Sequence, residues 1–498
     1  MKLLLINASF FPETPNIGLA YLMASAKKRH TVNLLDIGFQ YKNYKEYITS
    51  GLEEFKPDVV GISVLTPGYA LALNIAKLVK KAYPKAQLLF GGVHCTLNPE
   101  MTIKHPLVDA VCIGEGEEAI VEYLDRLEQD KKQEVAGIWY KDSKGGIIKN
   151  KLRPFKSELD EIPFPDWDYW EIEKYAGMGD YYPNSLIHIS SRGCPYNCAF
   201  CTNPAIAKAV PGPYYRLRSP KNVVEEIEFN WNRYNKWFKN IFFNDEIFGL
   251  NKDNFEGFCG LFIASGLNRK LTWTCQTRAD VITRDWAKRA REAGCVMVFL
   301  GLESGDEYLR RNILKKNISD QDVVRAVTNL EDHDIPYKFT MIIGFPYENK
   351  KAAEKSFAMA KNFNSIRTDF LYYQPFPHTE LSQLVGGKDS FPYRGITKKE
   401  DHVSKLIYVW VKMRTKSAEF KRQDLAWIMT KTRLFKIFKF LKQGITLKGL
   451  RFLFDVLKFI LSINNCRKRP LTHPAVFGEL YQATVSKYIW ENHKIYFD

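Results

Sequence analysis

Long apolar runs and secretory features are missing from this sequence of 498 residues. No 18 consecutive residues are apolar, so the sequence predicts no transmembrane helix. The first residues, Met1–Asn7, are too short for the apolar core of a signal peptide and instead predict a buried strand. Nine cysteines, an odd number spread along the chain, favour a reducing compartment over a disulfide framework. We therefore expect a cytoplasmic protein.

Acidic residues are outnumbered by basic ones, with 56 Asp and Glu against 72 Lys and Arg and a formal net charge of +16. Such an excess favours an anionic partner, either nucleic acid or a membrane surface, although a generally basic proteome gives the same balance. The length suffices for about three domains. A hydrophobic content of 45% allows each of them a sizeable core.

The most informative feature that is present is a triplet of cysteines, Cys194, Cys198 and Cys201, with the spacing Cys-x3-Cys-x2-Cys. Three thiolates can hold three irons of a [4Fe–4S] cube, whose usual site supplies four cysteines. The missing fourth leaves one iron with an open coordination position. A structural zinc site usually needs four ligands, and a disulfide is disfavoured in a reducing compartment. His188, the nearest histidine, is expected on the preceding strand.

The stretch Ser191–Cys201 that carries this triplet resembles the radical S-adenosylmethionine (radical SAM) superfamily. In that superfamily the amino and carboxylate groups of SAM chelate the open iron. An electron from the cluster then cleaves SAM to a 5′-deoxyadenosyl radical. The resemblance implies that the three cysteines are the metal ligands.

Strand and helix patterns alternate after the triplet as they do before it. Six βα units match the partial (β/α)6 barrel of radical SAM enzymes, in which the chemistry takes place at the carboxyl ends of the strands. The predicted strands are Leu186–Ser191, Asn240–Asp245, Leu271–Arg278, Cys295–Glu303, Tyr337–Phe345 and Asp369–Phe376.

Polar residues follow several of these strands. The resemblance implies that Glu303 and Ser304 bind the ribose or the amino acid part of SAM, that Asp245 and Arg278 complete its polar cage, and that Phe200 lines the adenine. For each residue taken singly, a loop cap or a salt bridge is the structural alternative.

The first 135 residues also alternate, with apolar strands predicted at Lys2–Asn7, Thr31–Asp36, Val59–Val64, Gln87–Gly92 and Ala110–Glu115. Apolar strands separated by helices predict a parallel, doubly wound sheet. Ligands bind such sheets beyond the carboxyl ends of the strands, at the switch point of the strand order. Glycine-rich loops follow these strands, and glycine lets the backbone approach a large cofactor closely.

This block resembles the cobalamin-binding domain of B12-dependent radical SAM enzymes. The matching segments are Asn16–Leu22, the loop Gly91–Thr96 and the loop Gly114–Glu117. No Asp-x-His-x-x-Gly motif follows the first strand, so the resemblance implies cobalamin with its base displaced and no axial histidine. The cofactor-binding residues so implied are Ser63, Thr66, Gly91, Gly92, His94, Gly114, Glu115, Gly116 and Glu117.

The alternative for this block is a flavodoxin-like domain that has lost cobalamin. Cys95 departs from the family pattern, which often has proline at this position. We expect four regions: a cobalamin-binding-like domain (1–135), a hairpin and linker (136–180), the barrel (181–385) and a helical, basic C-terminal region (386–498).

The C-terminal region matches no motif, but Lys421–Arg469 contains 13 Lys or Arg and only two Asp. Within it, six apolar residues share one helical face: Leu450, Leu453, Phe454, Leu457, Ile460 and Leu461. A basic amphipathic helix can lie in a membrane interface. The alternative is a helix that covers the barrel mouth. Nucleic acid is not expected, because no RNA-binding module is recognisable.

The resemblance covers residues 1–385 and implies a cobalamin-dependent radical SAM methyltransferase that acts on an unactivated carbon through methylcobalamin. One alternative is a cyclase or rearrangement enzyme that uses cobalamin without methyl transfer; another is a non-catalytic corrinoid or electron-transfer protein. The implied cofactors are a [4Fe–4S] cluster, SAM and cobalamin. The expected partners are a small-molecule or lipid substrate, an electron donor such as flavodoxin or ferredoxin, and the inner face of the membrane as a peripheral contact.

Overall fold

A computed structural model describes residues 1–9, 14–40, 43–129, 135–176 and 184–384. The chain begins with a seven-stranded sheet in the order β2-β1-β3-β4-β5-β6-β7. Its strands are β1 (Lys2–Asn7), β2 (Thr31–Asp36), β3 (Val59–Ser63), β4 (Gln87–Gly91), β5 (Ala110–Cys112), β6 (Ile138–Lys141) and β7 (Ile147–Lys149).

The first five strands of this sheet are parallel, which confirms the predicted doubly wound arrangement. The switch point of the strand order lies between β1 and β3, since β1 pairs with β2 on one side and with β3 on the other. In β1 every residue after Lys2 is buried, because helices cover both faces. These helices are α1 (Ile17–Ala26), α2 (Tyr44–Phe55), α3 (Tyr69–Ala82), α4 (Val93–Leu97), α5 (Pro99–Lys104) and α6 (Glu117–Glu128).

The predicted hairpin forms and extends this sheet, because β6 pairs antiparallel with β5 and with β7. Gly145 adopts a left-handed φ of +81° at its turn. The Asp142 carboxylate accepts hydrogen bonds from the backbone N–H groups of Lys144 and Gly146, at 2.8 and 2.7 Å. The expected region boundary at residue 135 therefore falls between two strands of one sheet.

The second large sheet has six parallel strands in the order β15-β14-β13-β12-β11-β8. A separate antiparallel pair, β9 with β10, lies beside it. The strands are β8 (Ser185–His188), β9 (Ser191–Arg192), β10 (Arg216–Leu217), β11 (Asn240–Phe243), β12 (Thr272–Thr277), β13 (Cys295–Glu303), β14 (Tyr337–Ile343) and β15 (Arg367–Tyr372).

The helices of this second part mostly connect successive strands, as a partial barrel requires. They are α7 (Ile172–Ala176), α8 (Asn203–Ala209), α9 (Pro220–Tyr234), α10 (Lys252–Ala264), α11 (Arg284–Glu292), α12 (Asp320–Glu331), α13 (Lys350–Asn362) and α14 (Glu380–Leu384). Local capping fixes their starts: the side chains of Ser219, Thr283 and Ser319 each accept a backbone N–H three residues ahead.

One hydrophobic core runs through both sheets. It includes Leu3 and Leu19 from the first part, Leu186 and Phe243 from the second, and Trp167 from the connecting segment. The first sheet and the barrel sheet therefore pack into a shared core, whereas the other face of the first sheet has a core of its own. Within the described ranges, every helix is too short or too polar to cross a bilayer.

Candidate cofactor sites at the strand ends

The cysteine triplet lies on the loop between β9 and α8. All three side chains are reduced and partly exposed. The loop starts at Gly193, which has a left-handed φ of +81°. A Cβ atom there would lie 2.1 Å from the carbonyl oxygen of Tyr214, so only glycine fits between the two backbone segments.

Backbone hydrogen bonds hold the cysteine loop on two sides. The N–H of Ala199 donates to the carbonyl of Leu314 at 2.9 Å, and the N–H of Leu381 donates to the carbonyl of Ala199 at 2.9 Å. The N–H of Asn203 points at the Cys201 sulfur, 3.5 Å away. The loop is thus fixed between the segment after β13 and the helix after β15.

The environment of the three thiols fits an iron–sulfur cluster. Burial raises the pKa of Cys201 to about 11 and also raises the pKa values of Cys194 and Cys198. A bound metal deprotonates such thiols outright. In the described part of the chain, no three Cys, His, Asp or Glu side chains converge on a point where they could hold one metal ion. Three ligands that each bind a different iron of a cube need no such convergence.

Asp245 supports the approach to this loop from the end of β11. Its side chain is fully buried and accepts hydrogen bonds from the Ser190 backbone N–H at 3.0 Å and from the hydroxyls of Ser190 and Ser191 at 2.7 and 2.5 Å. Burial raises the pKa of Asp245, and the serine bonds oppose that shift. This geometry favours a positioning role over direct contact with SAM.

Glu303 lies at an irregularity between β13 and β14 and has a left-handed φ of +64°. Its Oε1 accepts a hydrogen bond from Lys316 Nζ at 2.9 Å, with both side chains nearly buried. A Cβ atom on Gly301 would lie 2.6 Å from Glu303 Oε1. The Lys316 charge also reaches Cys198 and opposes the rise of its pKa, so this ion pair stands beside the cysteine loop.

Ser304, which follows Glu303, is fully buried. Its hydroxyl accepts the backbone N–H of Asp306 at 3.1 Å, and its carbonyl accepts Arg310 Nη1 at 2.7 Å. These contacts are typical of a residue that caps a turn. The contact between Ser304 and SAM stays a prediction.

Of two further predicted residues, Arg278 contacts the cysteine loop and Phe200 is part of it. The Arg278 guanidinium lies 3.6 Å from the centre of the Tyr196 ring, and two hydrogen bonds of 2.9 and 2.8 Å join it to Asp280. The Phe200 ring packs against Phe345, with centroids 5.6 Å apart. The structure thus gathers the predicted SAM residues around the cysteines, although Asp245 and Arg278 already have protein partners.

The predicted cobalamin loops meet at the ends of β3 and β4. Gly92 has a φ of +94°, and a Cβ there would lie 3.0 Å from the backbone of Val64, next to the Ser63 hydroxyl. His94 is fully buried, with Nδ1 3.3 Å from the Thr66 hydroxyl. Burial and the charge of His378 lower the pKa of His94 to about 4, so the ring is neutral. The glycines give a cofactor close access to the backbone, whereas His94 is turned into the protein.

The loop after β5 carries contacts that sequence reasoning missed. Glu115 and Glu117 form ion pairs with Arg192 and Arg216, which lie on β9 and β10. The partners are 75 to 101 residues apart in sequence, so no local pattern indicates them. Gly114 has a φ of +86°, and Gly116 closely approaches Leu22.

Comparison with known proteins agrees with this geometry. A B12-binding-domain model matches residues 3–124, and a radical SAM superfamily model matches residues 188–360. An uncharacterized methyltransferase of Pyrococcus horikoshii is 30% identical over 369 residues, which cover 74% of this chain and 77% of that protein. The chain belongs to the radical SAM enzymes with a B12-binding domain. The predicted family and enzyme class are confirmed, with a [4Fe–4S] cluster, SAM and cobalamin as cofactors.

Other relatives agree in architecture. The anaerobic magnesium-protoporphyrin IX monomethyl ester cyclase of Cereibacter sphaeroides is 29% identical over 380 residues, 74% of this chain but 60% of the cyclase. The structure of the methyltransferase TsrM from Kitasatospora setae, with cobalamin and a [4Fe–4S] cluster bound, superposes with a TM-score of 0.65 at 15% identity, covering 77% of each chain. At that identity the superposition confirms the predicted fold class alone.

Proposed function

We propose that this enzyme methylates an unactivated carbon of a small-molecule substrate. The observation that carries the proposal is the direct connection between the two cofactor loops: Glu115 and Glu117, beside the glycine-rich strand ends, are ion-paired to Arg192 and Arg216 at the base of the cysteine loop. Radical formation and methyl transfer need both cofactors at one substrate. The ion pairs between the loop after β5 and the base of the cysteine loop would hold the two cofactor sites close together, as this requires.

When bound, the cluster supplies reductive cleavage of SAM to the 5′-deoxyadenosyl radical and cobalamin supplies the methyl group. The residues of this chain bind and orient. Cys194, Cys198 and Cys201 would hold three irons, and Asp245 would fix the strand that leads into them. Glu303, held by Lys316 beside the cysteine loop, would help to bind SAM.

The first sheet would hold cobalamin with its base displaced. Ser63, Thr66, Gly91 and Gly92 lie at the strand ends where the tail nucleotide would run. His94 would stay off the cobalt, because it is buried against Thr66.

A second candidate function is ring formation without methyl transfer. It is favoured by the 29% identity to an anaerobic cyclase over 74% of this chain. A non-catalytic corrinoid carrier is disfavoured, since it would need no buried ion pair beside the cysteines. Product analysis separates the first two: methylation adds one carbon to the substrate, whereas ring closure adds none.

We further propose an electron donor such as flavodoxin or ferredoxin, and a peripheral contact with the inner face of the membrane. The basic stretch Lys421–Arg469 on which the membrane contact rests lies outside the described residues, as does the whole predicted helical region 386–498. Both partners stay predictions.

Replacement of a cluster ligand tests the assignment. After anaerobic reconstitution the wild type should bind about four irons. Cys198→Ala should abolish formation of 5′-deoxyadenosine from SAM, because the cube loses one of its three protein ligands. Cys259→Ala is the matched control: Cys259 is fully buried in the barrel core, and its change should leave cleavage intact. Retained SAM cleavage in Cys198→Ala would refute the cluster site.

A further inference from the structure

Two arginines lie close together at the base of the cysteine loop, where their positive charges repel each other. Arg192 and Arg216 stand directly opposite each other on the two-stranded ladder of β9 and β10. Like charges opposite each other destabilise such a ladder, and burial makes the repulsion stronger. Both side chains are largely buried. The ladder therefore needs anions brought from elsewhere in the fold.

Two carboxylates from the first sheet supply these anions. Glu115 Oε1 accepts hydrogen bonds from Arg192 Nη1 and Arg216 Nη1, both at 3.0 Å, and Glu115 Oε2 lies 2.8 Å from the same Arg216 nitrogen. Glu117 Oε1 accepts Arg192 Nη2 at 2.6 Å. One glutamate thus bridges both arginines, and the other completes the pairing of Arg192.

The backbone around these groups closes the cluster. Glu115 Oε2 accepts the backbone N–H of Lys156 at 2.9 Å, and Arg216 Nη1 donates to the carbonyl of Lys156 at 2.9 Å. The two guanidinium groups also lie over aromatic rings, Arg192 over Tyr21 at 5.0 Å and Arg216 over Phe155 at 4.9 Å. The planar guanidinium group of arginine can stack on a ring and donate several hydrogen bonds at the same time, which the ammonium group of lysine cannot do.

The charge balance agrees with this geometry. Burial alone would raise the pKa of Glu115, but hydrogen bonding to Arg216 and the charges of Arg192 and Arg216 hold it below its ordinary value. The carboxylate therefore stays ionised although it is only slightly exposed.

We propose that Glu115, Glu117, Arg192 and Arg216 form an interdomain clamp that sets the distance between the iron–sulfur cluster and cobalamin. The proposal rests on the proposed function for its two cofactors. In this proposal the two glutamates are positioning residues. The family resemblance implies instead that they bind cobalamin. Arg192 lies two residues before Cys194, and Glu115 lies within the loop Gly114–Glu117 of the first sheet, so the clamp would transmit a shift of one loop to the other.

Hydrogen–deuterium exchange of the full chain, without cofactors, tests the clamp directly. The isosteric double change Glu115→Gln and Glu117→Gln should speed amide exchange in peptides spanning 191–201 by about tenfold, because charge-assisted hydrogen bonds are lost. Glu118→Gln is the matched control: among the described residues, this exposed neighbour forms ion pairs with Arg153 and Lys156 and with neither arginine of the clamp. Exchange equal to wild type in the folded double variant would overturn the clamp.

The distance itself is measured by pulsed electron paramagnetic resonance on the reconstituted protein, between cob(II)alamin and the reduced cluster. The clamp predicts a distance distribution about twofold wider in the double variant, and an intermediate width in Arg216→Lys, which keeps the charge but not the fork. An unchanged distribution in both variants would contradict the clamp. Wild-type protein that takes up no cobalamin would refute the proposed function instead, and the exchange experiment alone would then decide on the clamp.

Discussion

Gly193 determines whether the cysteine loop can close. We expect Gly193→Ala to lower the iron content after reconstitution, because its Cβ would meet the Tyr214 carbonyl oxygen at 2.1 Å, in addition to the cost of a left-handed φ of about 1 kcal/mol. Gly145→Ala is a matched control with the same φ of +81° but nothing within 4 Å of the added carbon. It should bind iron like wild type; an equal loss in both variants would show that backbone strain alone is responsible.

His94 makes the stability of the first sheet depend on pH. Its pKa is lowered from 6.5 to about 4 by burial and by His378, so the folded chain keeps the ring neutral. Below pH 6.5 the unfolded chain takes up a proton that the folded chain does not. The unfolding free energy should therefore fall by about 3 kcal/mol between pH 6.5 and 4.

Denaturant titrations of wild type and His94→Asn across this pH range check the effect. The two stability curves should converge as the pH falls from 6.5 to 4, since only the wild type has the buried imidazole. Parallel curves would mean that His94 is protonated as readily in the folded chain as in the unfolded one.

At the scale of single residues, the sequence indicates the chemistry of the site better than it indicates which residues contact each other. The cysteine spacing and the glycine loops are local patterns, and local patterns can be recognised. The partners of Asp245 and of Glu115 are 41 to 101 residues away, and no pattern in one sequence joins them. The sequence predicts that both residues bind cofactors, whereas the structure shows both in contact with other residues of the protein.

Ser319 begins α12 with a reciprocal cap. Its hydroxyl accepts the backbone N–H of Asp322, and the Asp322 carboxylate accepts the backbone N–H of Ser319. We expect Ser319→Ala to reduce stability by about 1 kcal/mol, seen as a lower midpoint of unfolding. Ser319→Thr keeps the hydroxyl and should behave like wild type. SAM cleavage should be unchanged in both, so a loss of cleavage in Ser319→Ala would contradict a purely local role.

Strand positions follow the apolar pattern closely. β1, β2 and β13 have the predicted bounds. The prediction for the last strand, Asp369–Phe376, was wrong: β15 runs from Arg367 to Tyr372, because Pro375 cannot donate to a ladder and restricts the residue before it.

The strand predicted before the cysteines, Leu186–Ser191, is interrupted. β8 ends at His188, and the chain pairs again only at Ser191, in a different sheet. Asp245 takes the backbone N–H of Ser190 between them. A buried carboxylate from another strand thus redirects the chain, which the apolar pattern cannot indicate.

At the scale of the whole molecule, a buried carboxylate on α9 forms an ion pair with Arg218 and a hydrogen bond with Tyr21 of α1. Glu226 is fully buried, and its Oε2 lies 2.6 Å from Arg218 Nη1 and 3.3 Å from the Tyr21 hydroxyl. Glu226→Gln would leave Arg218 buried without its counter-ion and should cost about 3 kcal/mol.

Thermal unfolding of the chain without cofactors measures this cost. Glu225→Gln is the control, because Glu225 is exposed and, in the described part of the chain, forms an ion pair with Lys221 at 3.8 Å. It should shift the midpoint little, since surface pairs contribute about 0 to 1 kcal/mol. Equal midpoints for the two variants would show that Arg218 finds another partner.

The hydrogen bond from Leu381 to Ala199 has a consequence for how the protein is made. The ribosome must add the 180 residues from 202 to 381 after Cys201 before this donor exists. At ordinary synthesis rates this takes roughly 10 to 40 s. Throughout that interval the cysteine loop lacks one of the backbone hydrogen bonds that hold it in the finished structure. We therefore predict that iron and sulfide are inserted late in biosynthesis, after the segment that carries Leu381 has been made.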